Sequence, residues 1–217
     1  MRLFLTSMLN KTMIKQDKKN GGNVNRLKWE YRIIKDDLKA QIKEIEEHGS
    51  GSDSRERIKF LVSEYTADQI IYSNNKLRVI VPVRKDRRSG YHQWHQAFEI
   101  SFPAEVSDVY LILRSLTDKN HWLSRDEYSW SQFLDELILP DSQIKLIDVD
   151  REIHLYKMSD VEVEFSYDSF SGYHNTSIAI RDQNPDRINR VRKQLDLFEE
   201  DSNDYVTTLK KYFLRKK

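Results

Sequence analysis

One segment concentrates the residue types that contact phosphate and nucleobases. It spans residues 84–96 and is strongly basic, with four aromatic or imidazole rings toward its end. Arginine and lysine contact phosphate oxygens, and aromatic and imidazole rings stack on bases. The candidate nucleic-acid or phosphate-binding residues are Arg84, Lys85, Arg87, Arg88, Tyr91, His92, Trp94 and His95. The alternative is a solvated basic hairpin tip whose tryptophan folds back onto a sheet.

Two acidic stretches alternate carboxylates with other residues. The carboxylates are Asp148, Asp150 and Glu152 in the first stretch, and Asp160, Glu162 and Glu164 in the second. On a strand, alternation places each set on one face, where it could hold a divalent cation. Alternation also predicts the solvent-facing side of a half-buried strand without any chemistry. We favour the solvent-facing interpretation.

The run Glu162-Val163-Glu164 is similar to the alternating glutamate strand of triphosphate-tunnel enzymes. The similarity covers three residues. Ser166 stands where that family has a basic residue, and the family's motif lies near the start of its domain. We therefore do not assign the chain to that family.

Several catalytic motifs are absent from the sequence. The chain has no cysteine, which excludes disulfides, thiolate metal sites and a cysteine nucleophile. It contains no phosphate-binding G-x-x-x-x-G-K-[ST] loop, no G-x-G-x-x-G dinucleotide motif and no G-x-S-x-G nucleophile elbow. His92 and His95 are not part of an H-E-x-x-H pattern, so metal ligands cannot be assigned. We expect no cofactor, and the balance is against an enzyme.

Composition bounds the class of protein. The 217 residues are 38% hydrophobic, 33% charged and 11% aromatic, with a net charge of +1. That aromatic content predicts a folded core despite the polar composition. No stretch reaches the roughly 18 apolar residues that a membrane-spanning helix requires. Together with the lack of cysteine, this predicts a cytoplasmic protein without a membrane span.

The N-terminal part is predicted to lie apart from the main domain. Residues 1–22 lack an apolar period and are predicted as a flexible tail, and residues 49–54 as a flexible linker. Residues 23–48 are predicted as one amphipathic helix. Its apolar face consists of Leu27, Tyr31, Ile34, Leu38 and Ile45. This face is expected to dock on the chain's own domain, or on a protein partner or a second copy.

Residues 55–217 are predicted as a single α+β domain. Apolar alternation predicts a hairpin of residues 77–83 and 97–102, followed by a strand meander within 144–180. Helical spacing and capping residues predict helices at 106–116, 124–140, 184–195 and 203–214. The predicted fold is a mainly antiparallel sheet packed with helices, plus the N-terminal amphipathic helix.

Two functions remain at this point. The first is a non-catalytic interaction module of a larger protein or nucleoprotein assembly, with the N-terminal helix contacting the partner. The alternative is a protein that handles nucleic acid or a phosphate ligand, as a divalent-cation-dependent phosphohydrolase or nuclease. The basic segment and the acidic stretches support the alternative, and the missing catalytic motifs support the first.

Overall fold

The computed structural model of the chain describes residues 27–170, 172–198 and 204–214. The strands are β1 (Trp29–Lys35), β2 (Ser50–Ser63), β3 (Gln69–Ser73), β4 (Lys76–Lys85), β5 (His92–Ser101), β6 (Ala104–Glu105), β7 (Glu127–Tyr128), β8 (Ile144–Met158), β9 (Val161–Phe170) and β10 (Tyr173–Asp182). The helices are α1 (Lys39–His48), α2 (Val106–Leu116), α3 (Trp130–Phe133, continued by a π-helical turn over Leu134–Ile138), α4 (Pro185–Gln194) and α5 (Tyr205–Phe213).

Eight strands close into an antiparallel barrel. Their order around the barrel is β1-β10-β9-β8-β2-β3-β4-β5, and β5 pairs back onto β1. The two short strands β6 and β7 form a separate pair. The fold class predicted from sequence is therefore wrong, because the sheet is a closed barrel and the described part of residues 23–48 forms a strand and a short helix rather than one long helix. Of the described helices, none is long and apolar enough to cross a membrane.

Where the structure describes the helix predicted over residues 23–48, from residue 27 onward, the chain instead forms β1, a short connection and α1. All seven residues of β1 pair with β10, which satisfies the backbone groups that a helix would have satisfied internally. Helical spacing of the apolar residues did not reveal this because Tyr31 and Ile34 pack on opposite sides of the strand. The predicted partner-binding face is largely buried in the chain's own core. Tyr31, Ile34, Leu38 and Ile45 are each at most 9% exposed, and Leu27 is partly buried.

Helices cover two parts of the barrel's outer surface. Helices α1 and α4 pack on β1, β9 and β10, and this cluster includes Tyr31 and Ile33. Helices α2 and α3 pack on β2 to β5 through a second cluster that includes Leu61 and Val79. Since side chains alternate across a strand, the residues between these outward-facing positions point into the barrel lumen.

A third apolar cluster fills one part of the lumen. Ile58, Phe60 and Val149 contribute to it from the strands, and Tyr205 and Leu209 contribute from α5. The C-terminal helix therefore lies inside the barrel and packs on its inner wall. The helix predicted over 203–214 is confirmed as α5, as are the predicted helices over 106–116 and 184–195.

The predicted linker at residues 49–54 is the start of a strand. From Ser50 onward, β2 pairs with β8 in one unbroken register. Gly51 lies under the ring of Tyr156, so close that a Cβ atom there would be 2.7 Å from the ring carbons. Glycine and serine indicated flexibility, but here they allow close packing against an aromatic side chain. The predicted tail, residues 1–22, lies outside the described residues.

Candidate functional site

Charged side chains line the lumen near the barrel end at which β1 begins. On β1, Glu30 and Arg32 alternate with the outward-facing Tyr31 and Ile33. On β10, Arg181 is paired directly with Glu30. On β9, Glu162 and Glu164 alternate with Val163 and Phe165 of the outer cluster. We call Glu30, Arg32, Glu162, Glu164 and Arg181 the lumen ion cluster.

Arg181 joins the three carboxylates of this cluster. Its Nε donates to Glu30 Oε2 at 2.6 Å. Its Nη1 donates to Glu164 Oε2 at 2.8 Å and to Glu162 Oε1 at 3.2 Å. Glu162 lies at the rim, where its other oxygen accepts a 2.6 Å bond from Lys28. One guanidinium, from β10, therefore occupies the space between the carboxylates of β1 and β9.

Arg32 makes a second set of bonds in the same cluster. Its Nε lies 3.2 Å from Glu30 Oε1 and its Nη2 lies 3.4 Å from Glu164 Oε1. Its Nη1 donates to the Ser177 hydroxyl, which is 2.9 Å from the hydroxyl of Ser166. The side chains of Arg32, Glu30 and Glu164 are each only 10–12% exposed, so the network is largely dry.

The network keeps its acids ionised. Burial alone would raise the pKa of Glu30, but Arg32 and Arg181 outweigh it and hold the pKa at about 2. Burial likewise opposes ionisation of Glu164, and Arg181 and Arg32 lower its pKa well below the ordinary value. The pKa of Arg181 is raised, because Glu164 and Glu30 outweigh its burial. These groups are charged at neutral pH and poorly suited to exchanging protons.

A second ion pair lies deeper in the lumen, next to α5. Arg151 of β8 binds Asp168 of β9 through two bonds of 2.7 and 2.8 Å. The Tyr205 hydroxyl of α5 also donates to Asp168. The guanidinium lies 4.6 Å from the Tyr205 ring centre and 5.7 Å from that of Phe60. The C-terminal helix is thus tied to a buried charge as well as to the apolar lumen.

The predicted binding segment is mostly strand rather than loop. β4 extends to Lys85 and β5 begins at His92, so only a tight turn separates them. The carboxylate of Asp86 accepts bonds from the backbone amides of Arg88 and Ser89 and from the Ser89 hydroxyl. Arg87 and Arg88 are exposed on this turn. The hairpin itself is confirmed.

The aromatic residues of the segment separate into different environments. Tyr91 is fully buried and donates through its hydroxyl to Asn189 of α4. Arg84 lies over the ring of Trp29 at 5.6 Å. His95 is paired with Val81 of β4 and is partly buried. These positions do not converge, and a ligand-binding role for Arg84, Tyr91 and His95 stays a prediction.

His92 and Trp94 face the same lumen as the ion cluster. His92 is paired with Glu30, and its ring stacks on Trp94 at 5.5 Å. Burial and then the nearby Lys85 lower the pKa of His92. The indole nitrogen of Trp94 is buried and has no hydrogen-bond partner among the described residues. A buried donor without a partner is costly, so this N–H is available to an acceptor on a ligand or a water molecule.

The two acidic stretches differ in orientation. On β8, Asp148 pairs with Lys59 and Asp150 with Arg57 on the outer surface, as the solvent-facing interpretation predicts. On β9, the carboxylates of Glu162 and Glu164 point into the lumen instead. That interpretation was wrong for β9 because the lumen supplies arginines, and a strand in a barrel can bury a polar face inside.

Sequence reasoning missed three of the five residues of the cluster. Glu30 and Arg32 were placed on the helix predicted over residues 23–48, and Arg181 lay one residue beyond the strands predicted within 144–180. The available signal was the Glu30-x-Arg32 alternation, which matches a strand with a charged face. Within the described chain, three acidic or histidine ligand atoms lie close together only at Glu44, Glu47 and His48, on the exposed side of α1.

Comparison with known proteins gives distant structural matches. No protein-family model matches the chain, and no curated protein matches its sequence. The PH1012 protein of Pyrococcus horikoshii superposes with a TM-score of 0.47 at 15% identity, over 83% of this chain and 98% of that one. A candidate adenylyl cyclase from Hippeastrum, described as having a dominant triphosphatase activity, gives 0.47 at 11% identity, over 86% and 96%. A candidate adenylate cyclase from Bacillus halodurans gives 0.47 at 10%, over 84% and 97%.

The expectation of a non-catalytic interaction module is wrong. The helix that was to contact partners does not exist as predicted, and its apolar face belongs to the barrel and its cover. The feature that does stand out is a buried ionic cluster inside a closed barrel, which an interaction module does not require.

Proposed function

We propose that this chain is a phosphate-handling enzyme, a phosphohydrolase that binds a small phosphate ligand in the barrel lumen. The observation that carries the proposal is the set of three arginines on the inner wall: Arg32 and Arg151 are buried, and Arg181 is partly buried. A guanidinium presents a planar fork of donors that matches phosphate oxygens. Groups with strongly shifted pKa values cluster at functional sites, and structural ion-pair networks shift pKa values as well.

The charge balance of the lumen favours a ligand that carries its own cation. The three arginines are opposed by four carboxylates: Glu30, Glu162, Glu164 and Asp168. A phosphate anion alone would compete with these carboxylates for the same guanidinium groups. In a complex with a divalent cation, the phosphate would bind the arginines while the released carboxylates bind the cation.

The residues can be given roles on this basis. Arg181 and Arg32 would orient the phosphate, and Glu162 and Glu164 would hold the cation, with Glu30 beside them. A bound cation would neutralise the negative charge that develops on the phosphate oxygens. Since the pKa values of Glu30 and Glu164 are low, these carboxylates are weak bases, and we assign them to binding rather than to proton transfer.

The enclosed lumen also bears on ligand size. A site lined by Arg32, Glu164 and Arg181 inside a closed barrel suits a small or narrow ligand better than a nucleic-acid duplex. Nucleic-acid binding through residues 84–96 gains no support, because Tyr91 is part of the core and the two rings that do come together, His92 and Trp94, face the lumen. A cytoplasmic location is also part of the proposal, since the chain contains no cysteine.

The test measures binding and phosphate release with inorganic tripolyphosphate and nucleoside triphosphates, each with and without Mg²⁺ or Mn²⁺. Phosphate release that requires the cation, and that is lost in Arg181→Gln and Glu164→Gln, is the expected result. Arg57→Gln is the matched control. The Arg57 side chain is 90% exposed, and its ion pair lies on the outer surface. Absence of binding by the folded wild type, or equal activity in all three variants, would contradict the proposal.

A further inference from the structure

Part of β2 has an edge that no described strand covers. Along residues 50–57, β2 pairs with β8 on one side. Its other neighbour, β3, pairs with β2 only at Lys59, Phe60 and Leu61. Residues 50–55 and 57 are exposed, and Glu56 is partly buried. We call residues 50–57 the free edge.

A free edge is a template for another strand, because its backbone N–H and C=O groups point outward. Proteins commonly protect such edges with proline, a bulge or a covering loop. The free edge contains no proline, and its pairing with β8 continues from Ser50 to Ser63 without a register shift. Four of its residues are small, so a neighbouring backbone can approach the free edge closely. They are Ser50, Gly51, Ser52 and Ser54. The segment is therefore ready to accept a strand.

We propose that the free edge pairs with the same segment of a second copy of this chain, antiparallel and centred on Ser54. In this register, Asp53 lies opposite Arg55 of the partner subunit, and two-fold symmetry repeats the contact. Ser52 lies opposite Glu56 of the partner subunit, and Gly51 lies opposite Arg57 of the partner subunit. No like charges face each other. The result is a sheet continuous through both barrels, with β2 against its own copy.

Other registers are electrostatically worse. Directly opposed residues in an antiparallel pair either exchange both hydrogen bonds or neither. When the two strands are identical, the opposed residues must therefore both have odd numbers or both have even numbers. The pairing must then be centred on a residue. Centring on Asp53, Arg55 or Glu56 places that residue opposite its own copy, which sets two like charges together at the axis. Centring on Ser52 brings no opposite charges together. Only Ser54 avoids repulsion and gains both attractive pairs.

The charges that this register uses are available. Arg55 makes no ion pair within the part of the chain that the structure describes. Asp53 contacts His154 Nδ1 at 2.7 Å through Oδ1 alone, so Oδ2 is left for a second partner. The Asp53 carboxylate is 69% exposed. Arg57 already binds Asp150, and the proposed register does not require it.

The test measures self-association of the full chain by sedimentation velocity over a wide concentration series. The wild type is expected to dimerise reversibly. Asp53→Arg and Arg55→Asp each replace two attractive contacts with two repulsive ones, and each should weaken the dimer on the order of tenfold or more. Mixed together, the two single variants should pair with each other, since opposite charges then face again. The double variant Asp53→Arg/Arg55→Asp should recover self-association.

Folding and the source of association are controlled separately. Unfolding midpoints establish that each variant is folded. Arg55→Asp removes no side-chain hydrogen bond or ion pair of the described residues, whereas Asp53→Arg also removes the contact with His154. A wild type that stays monomeric at every concentration would overturn the proposal. So would a dimer that neither single variant weakens, or single variants that fail to associate when mixed. None of these readouts depends on phosphate binding.

Discussion

Replacing Arg181 with methionine should lower the free energy of unfolding, because it leaves the carboxylates of the lumen ion cluster without their main partner. The substitution keeps much of the side chain's length but removes the positive charge between Glu30, Glu162 and Glu164. Two of these carboxylates, Glu30 and Glu164, are only 11–12% exposed, so water cannot easily replace the lost partner. Removing one member of a buried ion pair typically costs about 3–5 kcal/mol.

The structure supports the lower end of that range. The pKa of Glu30 falls from an ordinary 4.5 to about 2, which corresponds to about 3 kcal/mol of net stabilisation of its charged form. Arg32 would still contact Glu30 and Glu164 in the variant, and Arg181 is itself 21% exposed. We therefore expect Arg181→Met to lower the free energy of unfolding by about 3 kcal/mol at neutral pH.

The pH dependence should separate this cause from poor packing. In the wild type, Glu30 and Glu164 have lowered pKa values, so their stabilisation is present above pH 4.5 and is lost as pH falls toward 2. Burial raises the pKa values of Glu30 and Glu164, and Arg32 and Arg181 lower them. Because Arg181→Met removes one of these two arginines, the pKa values of both carboxylates should rise. Acidification below about pH 4.5 should then cost the variant less stability than it costs the wild type, so the difference in unfolding free energy between them should narrow as pH falls toward 2.

Denaturant unfolding at several pH values measures both effects, with Arg57→Met as the control for loss of a surface arginine. The control should change the free energy of unfolding by less than about 1 kcal/mol, since exposed ion pairs contribute little. The reasoning is refuted if Arg181→Met is as stable as the control. It is also refuted if the variant loses stability on acidification in parallel with the wild type.

Three further substitutions test the packing around the site. Gly51→Ala should lower the free energy of unfolding by about 1–3 kcal/mol, because its Cβ would lie 2.7 Å from the Tyr156 ring. A lower unfolding midpoint in a thermal melt would show this. Tyr205→Phe should cost about 1–3 kcal/mol in denaturant unfolding, since Asp168 loses a hydroxyl donor in the lumen; an unchanged midpoint would argue against this contact. Asn184→Ala should cost about 1 kcal/mol by the same assay, because its side chain caps α4, and no change would contradict the cap.

Several elements could be predicted from the sequence because their signals are local. The Asn184 cap followed by proline marked the start of α4. The alternation of Val161 to Phe165 marked β9, and the runs around Val79 and Phe98 marked the β4–β5 hairpin. In each case a side chain contacts its own segment or its immediate neighbour, so composition and spacing carry the information.

The candidate site could not be predicted, because its members are distant along the chain. Glu30 and Arg181 are 151 positions apart, and they meet only because β1 pairs with β10 when the barrel closes. Before that pairing is known, the Glu30-x-Arg32 alternation indicates at most a strand with one charged face, and it does not tell whether that face meets a lumen or solvent. The same ambiguity assigned Glu162 and Glu164 to a solvent-facing surface.

The sequence by itself determined that the chain is cysteine-free, that its carboxylates alternate on strands, and where its later helices and its central hairpin lie. Tertiary structure alone decided which face of each strand lies inside. That choice depends on closure of the barrel, which converts an alternating polar face into either a surface or a lumen wall. The two acidic strands are the clearest example, since Asp150 binds Arg57 outside the barrel while Glu164 binds Arg181 within it.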